Sequence, residues 1–139
     1  MAMKWWLKAC SNGHVGSMFN AARALTGGYQ GVPYDNTTAA KWLKKAAHQG
    51  HPSSLFILGE WSTVGTVRGV PKDLKTAHTL LTKASQRGHT PAFYAVGILH
   101  NKGGDGLPKN QTLAVEMFRR AAELGHAAGM FRLAQAYEE

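Results

Sequence analysis

Apolar residues recur along the chain with the spacing of amphipathic helices. In the segment that ends at Gly50, the residues Ala39, Trp42, Leu43 and Ala46 are spaced by three, one and three positions. This spacing places their side chains on one face of a helix. The same pattern returns twice, at Ala77, Leu80, Leu81 and Ala84 and then at Ala114, Met117, Phe118 and Ala121. We call these predicted helices helix B.

A second kind of helix, helix A, is predicted after each Gly-His pair. Small residues occupy the fourth and ninth positions after the glycine, which allows two helices to approach closely. An aromatic residue occupies the sixth position in every unit, as Phe19, Phe56, Tyr94 and Phe131. We expect Phe56, Tyr94 and Phe131 to be largely buried, together with Trp42, Leu80 and Met117 of helix B.

The residues between the helices repeat with a period of 37 to 38 positions. Four Gly-His pairs begin at Gly13, Gly50, Gly88 and Gly125. Glycine at the end of such a run is typical of a helix C-terminus, because it enters the left-handed conformation at little cost. A Gly-Val-Pro or Gly-Leu-Pro segment keeps the same step and cannot continue a helix. The polar residues that follow it, Asp35, Asp73 and Asn110, are predicted N-caps.

Each repeat is therefore an antiparallel pair of helices, and stacked pairs bury a continuous core. The pattern predicts an all-α solenoid of about eight helices without a sheet, in one domain of residues 1–139. The predicted division begins with a helix B in residues 1–13, which contains Trp5 and Trp6. Three repeats follow in residues 14–50, 51–88 and 89–125, and a helix A follows in residues 126–139. Half-repeats at both ends predict end-to-end self-association or marginal stability.

These motifs resemble the Sel-one-like repeat (SLR) family, a relative of the tetratricopeptide repeat. Its Lys-Ala-Ala-x-x-Gly helix end, its Ala-x-aromatic-x-Leu-Gly helix A and its Gly-x-Gly-Val loop return here, the loop at Gly28, Gly65 and Gly103. The resemblance covers essentially the whole chain. It implies a right-handed superhelix that scaffolds protein complexes, with helix A on the concave side. A cysteine-rich branch of the family binds β-lactams, but this chain has one cysteine, Cys10, and does not match it.

One helix-A position departs from the family pattern, because it is apolar in every unit: Met18, Leu55, Phe93 and Met130. Packing between repeats explains such a stripe, and so does the docking of a partner segment on the concave wall. In the second case Leu55 and Phe93 are the anchors, and Glu60, Asn101 and Gln135 are the polar contacts. The leading hypothesis is a non-enzymatic scaffold that binds a peptide, a helix or a protein.

The chain carries a formal net charge of +8, from 16 Lys and Arg against 8 Asp and Glu. A basic surface attracts nucleic acid, anionic lipid or acidic proteins, although it also keeps a protein soluble. A basic solenoid bound to nucleic acid in a ribonucleoprotein is the alternative function. Its predicted basic patch is Lys41, Lys44, Lys45, Lys75, Lys83, Arg119 and Arg120.

No motif for catalysis, a metal or a cofactor emerges. The repeated histidines His14, His51, His89 and His126 lie one helix pair apart, roughly 10 Å, which is too far for shared zinc coordination. They are interpreted as helix-start or loop-packing residues. His48, His78 and His100 fall at unrelated positions. The sequence shows no targeting or membrane-spanning segment, and it leaves the compartment open. It therefore also leaves open whether the sequons at Asn36 and Asn110 are used.

Overall fold

The computed structural model describes Lys8 and residues 13–28, 35–67, 69–104 and 106–138. Within these ranges there are seven α-helices: α1 (Val15–Arg23), α2 (Asn36–His48), α3 (Pro52–Val64), α4 (Leu74–Gln86), α5 (Thr90–Lys102), α6 (Gln111–Glu123) and α7 (Ala127–Glu138). A π-helical turn, Ala24–Gly28, continues α1. The same ranges contain no strand, only an isolated bridge between Gly104 and Leu107. The all-α fold is confirmed, while the predicted helix at Trp5 and Trp6 lies outside the described residues.

Helices A and B alternate as predicted, with α1, α3, α5 and α7 of type A and α2, α4 and α6 of type B. Each helix packs against the next helix along the chain, and α3 also contacts α5 directly. Helices A of adjacent repeats are therefore neighbours, which is the arrangement of a stacked helical solenoid.

The predicted N-caps of the B helices are confirmed. The Asp35 side chain accepts a hydrogen bond from the backbone N–H of Thr38, and Asn110 accepts one from Leu113. Asp73 accepts bonds from the backbone N–H groups of both Lys75 and Thr76. The caps satisfy donors that have no partner inside the helix, so they fix where each B helix begins.

Glycine ends the B helices in the left-handed conformation, as predicted. Gly50 has φ of +85°, and Gly88 and Gly125 have φ of +86°. At the end of α2 the N–H of His51 donates to the carbonyl of Ala46 at 3.1 Å, and the N–H of Gly50 donates to that of Ala47 at 2.8 Å. These two bonds define a Schellman motif, which turns the chain directly into the following helix A.

The predicted close approach of helices at small residues is also confirmed. A Cβ atom added at Gly59 would lie 2.6 Å from Leu81 Cγ, and one added at Gly97 would lie 2.6 Å from Phe118 Cε1. Leu81 and Phe118 are fully buried, with 1% and 4% of their surface exposed. Gly59 of α3 and Gly97 of α5 thus each receive a large side chain from the helix B of their own repeat.

Burial on the predicted apolar faces is uneven. In the B helices Leu43, Leu81 and Phe118 are buried, whereas their neighbours Trp42, Leu80 and Met117 are only half-buried. Phe56 and Tyr94 are half-buried as well, and Phe131 is exposed over 64% of its surface. The prediction that these aromatic and helix-B residues are largely buried is therefore wrong for Phe131, and the others are buried only in part.

Candidate functional site

The four repeated histidines are built into the helix starts. Nδ1 of His51 accepts the backbone N–H of Ser54 at 3.3 Å, and its ring lies 4.9 Å from the ring of Phe19 in the preceding helix A. His14 and His126 cap their helices in the same way, whereas His89 makes no capping bond. The interpretation of these residues as helix-start residues is confirmed at the three capping positions, and their rings are engaged in packing.

The same contact explains why helix-A aromatic residues are only half-buried. The ring centroids of Phe56 and His89 are 4.8 Å apart, and those of Tyr94 and His126 are 5.1 Å apart. Each aromatic ring thus packs against the histidine of the next repeat. Phe56 also packs against the hydrophobic core, and the ring of Tyr94 lies 5.7 Å from that of Phe118 in its own helix pair. This contact joins consecutive repeats.

His78 and His100 are brought together, which their sequence positions did not indicate. Their Nε2 atoms are 3.0 Å apart across α4 and α5. Burial, reinforced by the proximity of His78, lowers the pKa of His100. Within the described part of the chain no group of three or more His, Cys, Asp or Glu side chains could hold a metal ion.

The predicted apolar stripe does not form one exposed surface. Met18 and Leu55 are each only 3% exposed, Phe93 is half-buried, and Met130 is 49% exposed. Leu55 belongs to a core cluster together with Leu43 of α2. Its packing between repeats is therefore observed, and an anchor at Leu55 on the concave helix-A wall has no support. A binding role for Phe93 or Met130 stays a prediction.

An open apolar groove lies instead between the helices A of two adjacent repeats. We call this the helix-A groove. Its volume is about 410 Å³, which falls in the range of about 300–1,000 Å³ that is common for ligand pockets. The side chains that line it include Glu60, Trp61 and Val64 of α3 and Tyr94, Ala95 and Ile98 of α5. Trp61, Val64 and Ile98 were not among the predicted site residues.

Of the three predicted polar contacts, Glu60 lines this groove and the other two do not. Glu60 lines it, and partial burial raises the pKa of its carboxyl group. Asn101 lies one turn beyond Ile98 on α5 and is half-buried, while Gln135 is exposed on α7. Neither Asn101 nor Gln135 is a lining residue, so the structure places only Glu60 of the three at the groove.

The predicted basic residues are all exposed, and they differ in their contacts. The list comprises Lys41, Lys44, Lys45, Lys75, Lys83, Arg119 and Arg120. Both arginines pair with Glu116 on α6. Lys45 lies over the ring of Trp42, with Nζ 4.8 Å from the centroid. Lys44 and Lys83 line a common depression on the helix-B side. A role in nucleic-acid binding stays a prediction.

Sequence comparison assigns the repeat. The model of the Sel1 repeat matches the chain four times, at residues 1–14, 15–51, 52–89 and 91–126. These matches cover most of the chain. The chain belongs to the Sel1 repeat family. The division into repeats inferred above differs from these limits by a residue or two and stays a prediction.

Sel1 repeats occur in relatives from fungi and bacteria. The chain is 31% identical over 136 residues to the chitin synthase regulator SKT5 of Saccharomyces cerevisiae, covering 94% of this chain and 19% of the regulator. It superposes with a TM-score of 0.87 on a Sel1 repeat protein from Oxalobacter formigenes, at 30% identity, covering 97% of this chain and 54% of that one.

A protective antigen of uropathogenic Escherichia coli, c5321, which has an SLR fold, gives a TM-score of 0.88 at 25% identity, covering 97% of this chain and 28% of that one. The chain thus spans about a fifth to a half of the length of these relatives. Sel1 repeats form a non-catalytic scaffold fold that generally serves protein interaction. No helix in the described ranges is long and apolar enough to cross a membrane.

Proposed function

We propose that this Sel1 repeat chain is a protein-binding scaffold that receives apolar side chains of a partner segment in the helix-A groove. The groove itself is the observation that carries the proposal. It is open, apolar and placed between adjacent helices A, on the side that the family resemblance predicts to be concave. Extended concave surfaces of this kind are what solenoids use to bind peptides and helices.

The chemistry of the groove favours a partner that combines apolar anchors with a donor group. Val64 is 57% exposed at the end of α3, and Ile98 faces the same space from α5. The Glu60 carboxyl group at the rim is partly desolvated, which favours a hydrogen-bond donor or a cation opposite it. Such a partner is a short peptide or helix with aliphatic residues beside a Lys, Arg or hydroxyl side chain.

The yeast relative is named as a regulator of an enzyme, chitin synthase. Binding to a protein is one way in which such a regulator acts, and this supports a binding role for the segment in which the two chains are similar. For this chain, we describe the kind of partner from the chemistry of the groove alone.

The proposal is tested by peptide display on the purified chain, followed by affinity measurements on two matched variants. Val64→Asp introduces a charge in the groove. Leu124→Asp introduces the same charge at a residue that is equally exposed, at 56%, and lies at the end of α6 outside the groove. We expect selected peptides to bind the wild type and Leu124→Asp, and to lose at least about tenfold in affinity for Val64→Asp.

Both variants should retain the helical circular dichroism of the wild type, because both substituted residues are exposed. Peptides that bind the two variants equally well would place the interaction elsewhere. The same conclusion follows if a photo-crosslinker at Ile98 gives no adduct with a bound peptide.

A further inference from the structure

A second depression lies on the helix-B side of the solenoid, between α2 and α4. Two adjoining hollows of about 460 Å³ and about 570 Å³ share Ala47, His48, Leu55 and Lys83 as lining residues. They therefore form one continuous depression, which we call the helix-B trough. It is formed by residues of neighbouring repeats and is separate from the helix-A groove, with which it shares no lining residue.

Basic side chains line the walls of the trough. Lys44 and His48 lie one turn apart on α2, and Lys83 and Arg87 lie one turn apart at the end of α4. Residues four positions apart occupy the same face of a helix, so each pair points along one wall. Among the residues that the structure describes, Asp73 is the only acidic one that lines the trough.

The carboxylate of Asp73 is already engaged at its own helix start. It accepts the backbone N–H groups of Lys75 and Thr76 at 3.1 and 3.2 Å and the hydroxyl of Thr76 at 2.8 Å. Within the described ranges no carboxylate forms an ion pair with Lys83 or Arg87. The two cations are thus available to an external anion.

The guanidinium of Arg87 lies close to the end of α2. A Cβ atom added at Gly50 would lie 2.6 Å from the Arg87 guanidinium carbon, so the guanidinium rests against the backbone that ends α2. At the opposite end, Lys44 Nζ donates a hydrogen bond to the Gly69 carbonyl at 2.8 Å and ties the loop to α2. A guanidinium is suited to bidentate binding of a carboxylate.

The floor between the charged walls is aliphatic. Leu55 and Leu58 of α3, Val70 of the loop and Leu80 of α4 line it. Apart from the histidine, none of the described lining residues is aromatic, so the trough offers no platform on which nucleic-acid bases would stack. Carboxylates matched to the walls and aliphatic side chains matched to the floor describe an acidic peptide.

We infer that the helix-B trough binds an acidic, leucine-containing segment of a protein partner, with Lys83 and Arg87 as its principal carboxylate ligands. This site goes beyond the helix-A groove and does not depend on it. The basic character of the chain then serves recognition of acidic protein instead of phosphate.

Fluorescence anisotropy at physiological salt tests this inference with a short labelled peptide of Asp, Glu and Leu. Its counterpart with Lys in place of the acidic residues and an oligouridylate of matched length are the comparison probes. Wild-type protein should bind the acidic peptide more tightly than either. Lys83→Gln combined with Arg87→Gln should weaken that binding by about tenfold, since the double variant removes both principal carboxylate ligands.

The matched control is Lys41→Gln combined with Lys109→Gln, which removes the same charge from exposed residues outside the trough. It should leave the affinity for the acidic peptide nearly unchanged, and so should Val64→Asp in the helix-A groove. Equal losses in the trough and control variants would show non-specific charge attraction and overturn the inference. Tighter binding of the oligouridylate would overturn it in favour of nucleic acid.

Discussion

Gly97 offers a direct test of how closely α5 and α6 pack. In an open helix, replacing glycine with alanine stabilises the protein by about 1 kcal/mol, because alanine has the higher helix propensity. At Gly97 the added Cβ would lie 2.6 Å from Cε1 and 2.7 Å from Cδ1 of Phe118. The Phe118 ring is only 4% exposed and has little room to move. The steric cost therefore opposes the gain in propensity.

The two effects can be compared in magnitude. Forcing an extra carbon into a packed core costs about 1–3 kcal/mol. After the gain in propensity is subtracted, Gly97→Ala should lower the free energy of unfolding by up to about 2 kcal/mol. For a chain of this size the melting temperature should fall by up to about 6 °C. Urea unfolding followed by circular dichroism measures the first quantity, and a thermal scan measures the second.

Gly16→Ala is the control, because an added Cβ there meets only the ring of His14, at 3.3 Å. It should leave stability within about 1 kcal/mol of the wild type. In a Phe118→Leu background, which removes Cε1, the ring atom nearest to the added carbon, Gly97→Ala should cost less than in the wild type. The reasoning is refuted if Gly97→Ala is as stable as Gly16→Ala and the double-mutant cycle shows no coupling.

Three further predictions concern packing, pH and assembly. Leu81→Ala should lower the free energy of unfolding by about 2–5 kcal/mol, and Leu80→Ala, at its half-buried neighbour, should lower it clearly less. Equal losses of unfolding free energy for the two variants in urea titrations would contradict the observed core. Stability should fall as the pH is lowered from about 7.5 to about 5.5. Burial and the proximity of His78 lower the pKa of His100 in the folded chain. In this interval the unfolded chain therefore binds protons that the folded chain does not. His100→Asn should reduce that slope in urea titrations across the interval, and an unchanged slope would exclude His100 as its source. Phe131, 64% exposed on α7, should support self-association, so Phe131→Glu should shift sedimentation toward the monomer. A wild type that is already monomeric at high concentration would contradict this prediction.

Helix ends were predictable from the sequence because they depend on local chemistry. A left-handed glycine such as Gly88 and a capping side chain such as Asp73 act within a few residues of their own position. Proline and glycine anchors in one register therefore indicated the boundaries of most described helices. The helix-A glycines were also predictable, because a small residue such as Gly97 among larger ones signals a close approach.

The exact core face of each helix and the position of the groove were harder to predict from the sequence. Neighbouring positions on a helix differ by about 100°, so Leu80 and Leu81 both satisfy an apolar pattern, and only contact with Gly59 selects Leu81 as the buried one. The helix-A aromatic residues were assigned to the core because nothing local indicates that Phe56 packs against His89 of the next repeat. Grooves between repeats depend on the distance between stacked helices, which a single repeat does not encode.

Residues that are the same in every repeat and residues that differ serve different purposes in this chain. The repeated glycines, caps and aromatic–histidine contacts are engaged in building the stack, so they have little capacity left for recognition. The tenth position after the helix-ending glycine behaves differently, because it is Arg23, Glu60, Ile98 and Gln135 in successive helices A. At the helix-A groove this position presents a carboxylate on α3 and an aliphatic side chain on α5. A partner that spans the two helices therefore meets different chemistry at equivalent positions, which fixes both its direction and its register along the solenoid.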